Sequence, residues 1–246
     1  TDEVIGIVGN NFNCATHQEF TNSFAQPLFD KLSDDDVKNA QMKISTARND
    51  AFMMLDLTFP TTKTTITTDT MAQNIGLRIV ALHGVDGTCS NTVLFGAIDF
   101  FCTNGMVRGE HDKVRRKNTS GFNLDRFGKQ VQKSNNDFKN YHAQIQRWAN
   151  KSLYVGDVKA MLESLDKGKA DGLFKLYNQE AAVRGNNGFA LYSAFTNYAS
   201  YADERNGFKL RNTGEDTAAK NMWEREEKVT RWIESKPSQL SSRCVG

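Results

Sequence analysis

Met53-Met54-Leu55-Asp56-Leu57-Thr58-Phe59 is the stretch on which the fold turns. Met53, Leu55, Leu57 and Phe59 alternate with Met54, Asp56 and Thr58, which puts the first set on one side of an extended chain. A helix would need apolar residues three and four apart, so this is a strand with one clean apolar face. Pro60 has no N–H for a ladder and is expected to end it.

Working outward, Thr61 to Thr70 is rich in β-branched Thr around Ile66 and suits an edge strand or ribbon. Leu77 to Leu82 is a nearly continuous apolar run and reads as a buried strand. Val85-Asp86-Gly87 is a turn, and Val93 to Cys102 a further strand closed by the hairpin dipeptide Asn104-Gly105. The middle of the chain is therefore an antiparallel β-meander of three to five strands.

Before it, Val4-Ile5-Gly6-Ile7-Val8 has strand character, closed by Gly9-Asn10-Asn11. Thr16 and Glu19 form a capping-box pattern ahead of Phe20, Phe24 and Leu28, with Pro27 expected to kink or shorten that helix. Ser33 followed by Asp34, Asp35 and Asp36 reads as another helix start. After Gly121 the period becomes helical. Phe127, Val131, Phe138, Tyr141, Ile145 and Trp148 form one sustained stripe, and Asp157 is placed to cap the next helix. Further helices are expected over 188–201 and 217–235. The fold class is α+β, an antiparallel meander followed by a helical C-terminal half. Residues 1–121 form the sheet-bearing part, 122–235 the helices packed on it in one compact domain, and 236–246 a tail.

With 246 residues, 39% hydrophobic and 24% charged, the chain can bury a core and is neither disordered nor membrane-like in composition. Its longest apolar candidate, Val93 to Phe101, carries Gly96 and Asp99 and is far short of the ~20 residues a spanning helix needs. Thr1-Asp2-Glu3 does not resemble an export signal, so a cytoplasmic protein is expected. Cys14, Cys89, Cys102 and Cys244 match no metal-ligand spacing and are read as thiols. His17, His83, His111 and His142 are equally scattered, and no cofactor or metal is implied.

Charge is uneven along the chain. Residues 1–60 hold nine acids against four bases, while residues 108–133 hold eight bases against three acids. Those bases are Arg108, Lys113, Arg115, Arg116, Lys117, Arg126, Lys129 and Lys133, on what reads as a mobile connector between the last strand and the first long helix. Several Lys and Arg within one Debye length suit phosphate binding; a solvated loop and helix face is the other reading. Phe122 and Phe127 could stack on bases, but Phe127 belongs to the apolar stripe, which favours the core. Phe189, Tyr192, Phe195, Tyr198 and Tyr201 also read better as core than as a stacking platform. There is no Walker loop, no GxGxxG and no GxSxG. The acids at 34–36 are explained by capping, and Cys102 lies in a predicted buried strand.

Three segments resemble the phage- and plasmid-related family called domain of unknown function 932. They are VIGIVGNNFNCATHQEF (4–20), HGVDGTCSNTVLFGAIDFFCTNGMV (83–107) and NNGFALYSAFTNYASYADER (186–205). The matching residues include Asp86, Gly87, Cys102, Thr103, Asn104 and Gly105 in the second segment. In the third they are Asn187, Leu191, Thr196, Tyr198 and Arg205, with Asn197 a departure. The resemblance implies a phage or mobile-element protein working inside a bacterial cell. By analogy with the phage single-strand annealing proteins, the expected function is sequence-independent binding or annealing of single-stranded DNA by a homo-oligomer. That reading has no membrane partner and no catalytic residue. The alternative is a structural or protein-interaction subunit of the phage. A metal-dependent nuclease would need acids such as Asp56 and Asp99 to meet in space.

Overall fold

The alternating strand pairs with neighbours on both sides. The computed structural model describes residues 4, 6–99, 105–107, 113–119, 122–134, 138–202, 218–238 and 240. Two helices come first, α1 (His17–Phe29), with the capping box expected at Thr16 and Glu19, and α2 (Asp34–Asn39), whose expected cap Ser33 forms a second capping box with Asp36. Pro27 sits within α1 without ending it. The strands are β1 (Gln41–Ala47), β2 (Phe52–Thr67), β3 (Ala72–Gly84), β4 (Asn91–Asp99), β5 (Gly105–Val107) and β6 (Lys113–Arg116). They form one antiparallel sheet in the order β1-β2-β3-β4-β5, and β6 also pairs with β4. Five sequential strands make the meander; β5 and β6 lie one after the other along the same edge of β4.

Pro60 does not end β2. The ladder pairs Phe59 with Leu77 and resumes at Lys63 with Gly76, so a bulge takes the proline out of register. The hydroxyls of Thr61 and Thr62 in that bulge donate to Asp36 Oδ1 at 2.5 and 2.9 Å, docking the start of α2. Beyond Thr58, β1 no longer covers β2, and the ribbon of Lys63–Thr67 with Ala72–Gly76 has an open edge. Helix α4 (Phe138–Ala149) closes it: His142 Nε2 donates to the Thr65 carbonyl, and the Gln146 amide exchanges two hydrogen bonds with Thr67 N–H and C=O.

Both sheet faces are buried, not one. Met53, Leu55, Leu57 and Phe59 join Leu77, Ile79, Ala81, Val93, Phe95 and Val114 beneath α1 and α3 (Leu124–Ser134), against Phe20, Phe24, Leu28, Phe122 and Phe127. On the other face Phe52, Met54, Val80, Leu82 and Leu94 pack against Met222 and Trp223 of α8 (Ala218–Glu234). Gly128 sets the approach of α3 to α1: a Cβ there would stand 1.9 Å from the Ser23 carbonyl oxygen.

The helical half comprises α4, α5 (Val155–Asp166), α6 (Ala170–Arg184), α7 (Gly188–Tyr201) and the second half of α8. Helix α7 is buried almost all round, as an apolar helix at the centre of a bundle must be. Phe189, Tyr192, Phe195 and Tyr198 are core residues. The single stripe expected from Phe127 to Trp148 is divided: Phe127 belongs to the sheet core, Ile145 and Trp148 to the helical core. Tyr154, not Asp157, precedes the first residue of α5, and Asp157 lies in its first turn, where its charge suits the helix dipole. Helix α6 escapes the sequence pattern because its buried side carries a Glu180–Arg184 ion pair among its apolar residues.

Two expectations are overturned at the ends. Val4 and Ile7 stand exposed and residues 6–9 are not a strand; Gly6 lies against the Asp86 backbone instead. Past Lys236, Ser238 and Leu240 are buried, with the Leu240 carbonyl accepting from Trp148 Nε1 at 2.9 Å. Among the described residues no helix is long and apolar enough to cross a membrane.

Candidate functional site

The described parts of the basic stretch, 113–119 and 122–133, are built into the fold instead of hanging free as a connector. Lys113 opens β6, and Val114 faces Val93 and enters the sheet core, which anchors the strand. Strand alternation then sends Arg115 and Arg116 to opposite faces of the sheet edge. Arg115, Arg116, Lys117, Arg126 and Lys129 are exposed, and none makes an ion pair among the described residues. Arg126, Lys129 and Lys133 recur at helical spacing along α3. Arg108 lies outside the described residues. Phe122 and Phe127 are buried against each other and beneath Phe20, so neither offers a face to a base.

Two polar constellations went unnoticed in the sequence. The first is a neutral layer under the N-terminus of α1. His17 Nε2 donates to the Asp50 carbonyl at 2.6 Å, which leaves His17 Nδ1 to accept from His83 Nδ1 at 2.7 Å in the neutral pair. His83 stacks on Phe20 at 4.6 Å. Burial, aided by the charge of His17, pushes its pKa down to about 4. The β3–β4 register, continued one step past Leu82 and Thr92, sets His83 opposite Asn91. Asn91 is fully buried with both amide atoms unpartnered, and Asn118 donates to the Gly84 carbonyl while its Oδ1 lacks a partner. The β1–β2 turn that supplies Asp50 holds Arg48, Asn49 and Asp50 at φ of 59°, 50° and 60°. Three left-handed residues in succession need outside support. His17 gives it, as does Val85 N–H bonded to the Ala51 carbonyl at 2.9 Å. Segments 4–20 and 83–107, singled out above, carry His17, His83 and Asn91, which was the available signal.

The second is a cleft of about 210 Å³ on the opposite face. Arg48, Phe52, Thr88, Ser90, Thr92 and Arg115 line its sheet side, and Trp223, Glu224 and Glu227 its α8 side. Asp86 holds Arg48 at 3.2 Å, and the guanidinium lies 5.5 Å from the Phe52 ring; Arg48 Nε is buried and unpartnered. Cys89 also lines the cleft. Its thiol, pushed up to about 11 by burial, donates to the Ser90 carbonyl and is no nucleophile near neutral pH. Of this set only Arg115 was anticipated, because the rest comes from turns and a helix far apart in the chain.

Behind the cleft, Arg78 is held between Asp56 at 2.6 Å and Glu226 at 3.1 Å, joining the sheet to α8. Burial opposes its charge, and the two carboxylates outweigh that. Asp56 is thereby engaged. In register it faces Val80, five positions along β3 from Ile75, the partner of Asp99, so the two acids are offset by about 17 Å along the sheet and by two strand spacings across it. Among the described residues no three His, Cys, Asp or Glu side chains cluster as metal ligands.

A family model described as Domain of unknown function (DUF932) matches residues 9–236, nearly the whole chain. No curated protein and no solved structure matches it.

Proposed function

We propose that this chain, which belongs to the DUF932 family, binds single-stranded DNA without sequence preference, as a phage-type recombination or replication protein in the bacterial cytoplasm. The observation that carries the reading is the run of exposed bases, without an ion pair among the described residues, from the edge strand β6 into α3: Arg115, Arg116, Lys117, Arg126 and Lys129. Such side chains neutralise phosphates and release counterions. A single strand is flexible enough to follow the turn from strand to helix. A duplex, with a persistence length of about 150 bp, is a straight rod over that length.

Fluorescence anisotropy of labelled single- and double-stranded oligonucleotides at several salt concentrations tests this. Five phosphate contacts give a logarithmic salt slope of about −3.5 for single strands. Replacing Arg115, Arg116 and Lys117 together by Glu is expected to abolish binding; unchanged affinity removes the ridge from the account.

A second reading, a protein-interaction subunit or homo-oligomer, draws support from the opposite edge of the sheet. Strand β1 is an edge strand on which Met42 and Ile44 are 62% and 54% exposed. Such an edge is a template for another strand. Size-exclusion chromatography of Ile44→Lys against the parent chain distinguishes an oligomer built there from a monomer.

A further inference from the structure

We infer that strand β1 pairs, antiparallel and about a two-fold axis at Ile44, with β1 of a second copy of this chain, so that two sheets run on as one. The inference deepens the second reading, an oligomer built on this edge, and rests on it. Three observations carry it.

First, β1 is an edge without the usual protection. Edge strands are commonly blunted by proline, bulges, shortness or several charges, because their outward N–H and C=O groups invite another strand. Over its seven residues β1 keeps an unbroken register with β2, contains no proline and carries a single charge, Lys43. Among the described residues no strand lies beyond it. The open stretch at Lys63–Thr67, by contrast, is closed by His142 and Gln146 of α4. The far edge of the sheet is divided between β5 and β6, three and four residues long, with Lys113, Arg115 and Arg116 on the latter. A head-to-tail union of the two edges would oppose one long strand to two short ones.

Second, the apolar layer beneath α1 runs out to this edge unfinished. Met42, Ile44 and Thr46 lie on the same face as their partners Leu57, Leu55 and Met53, which are core residues there. Met42 and Ile44 are nevertheless mostly exposed. One more strand with apolar residues at alternate positions would complete the layer, and β1 itself has that pattern.

Third, the pattern is self-complementary in one register. A two-fold axis normal to the sheet keeps each side chain on its own face, so even-numbered residues meet even and odd meet odd. Centring the axis on Ile44, the middle residue of β1, pairs all seven residues. Ile44 then meets Ile44, Met42 meets Thr46, Lys43 meets Ser45 and Gln41 meets Ala47. Moving the axis back to Lys43 opposes two like charges, which is destabilising, and moving it forward to Ser45 loses the Ile44 pair. Either shift also shortens the overlap.

The test measures the mass of the full-length chain by light scattering on a size-exclusion column over a wide range of concentration. The expected result is a dimer that dissociates on dilution. Ile44→Lys sets two like charges face to face and is expected to weaken association at least tenfold. Cysteine cross-linking then reads the register, in a Cys14→Ser background because Cys14 is exposed. Directly opposed Cα atoms stand about 4.5–5.5 Å apart, within disulfide reach, so Ile44→Cys is expected to give a covalent dimer on oxidation. Met42→Cys, on the same face and more exposed, would lie four positions or about 14 Å from its mate and is expected to give none. A chain that stays monomeric overturns both the inference and the oligomer reading. A dimer dispersed by Ile44→Lys but linked through position 42, or through neither position, leaves the edge as the interface and overturns the two-fold register. A dimer indifferent to Ile44→Lys has its contact elsewhere, and species larger than a dimer report a head-to-tail contact; either result overturns the inference.

Discussion

The two faces of the sheet bury polar groups in opposite ways. Beneath α1 the polar layer is neutral, made of His17, His83, Asn91 and Asn118. Beneath α8 it is ionic, with Arg78 between Asp56 and Glu226. A neutral buried histidine is stable while it stays unprotonated, so that face answers to pH. A buried ion triad answers instead to the loss of a partner, because a carboxylate left alone there cannot regain its hydration.

The largest effect is expected on the ionic face. Arg78→Met leaves Glu226 buried without its counter-charge and is expected to cost about 3–5 kcal/mol, read from the shift in urea midpoint. A cost below about 1 kcal/mol would show that α8 lifts and lets water in, and the contrast between the faces would lapse.

Next comes pH on the neutral face. The folded His83 has its pKa pushed down to about 4 from an ordinary 6.5. Between those values the unfolded chain takes up a proton that the folded chain does not. Stability therefore falls as pH drops through that window, by about 3 kcal/mol in all, and is flat for this group above it. Carboxylates titrate there too, so the informative measurement is the difference between the parent and His83→Gln across pH 7 to 4. A parallel pair of curves would mean the layer does not sense pH.

Smaller, and on the same face, Gly128→Ala places a methyl group against the Ser23 carbonyl and forces α1 and α3 apart. A loss of about 1–3 kcal/mol is expected in chemical denaturation. Smallest is Thr16→Ala, which removes the cap of α1 and the hydrogen bond to Glu19 N–H, at about 1 kcal/mol. If the His17–His83 contact depends on that cap, this variant will also soften the pH dependence.

Legibility in the sequence followed the range of the interactions. The capping box at Thr16, the helix start at Ser33 and the span of α7 were readable because their donors, acceptors and apolar periods lie within a few residues of one another. Strand β2 was readable as far as Phe59. Its passage through Pro60 was not, because the bulge is stabilised by Asp36 on another element. Of the candidate site, the basic residues were legible as composition. That Arg115 and Arg116 part to opposite faces depends on Val114 seating against Val93.

The sequence by itself determined the α+β class, with an antiparallel meander ahead of a helical half, and the excess of positive charge over residues 108–133, since local periodicity and composition are written along the chain. Only the tertiary structure decided that both faces of the sheet are covered, that His17 meets His83 and Arg78 meets Glu226, and that Arg48, Arg115 and Trp223 share a cleft. Those partners lie from 66 to 148 residues apart for the paired side chains. No local rule couples residues at that distance; the packing of the sheet against its helices does.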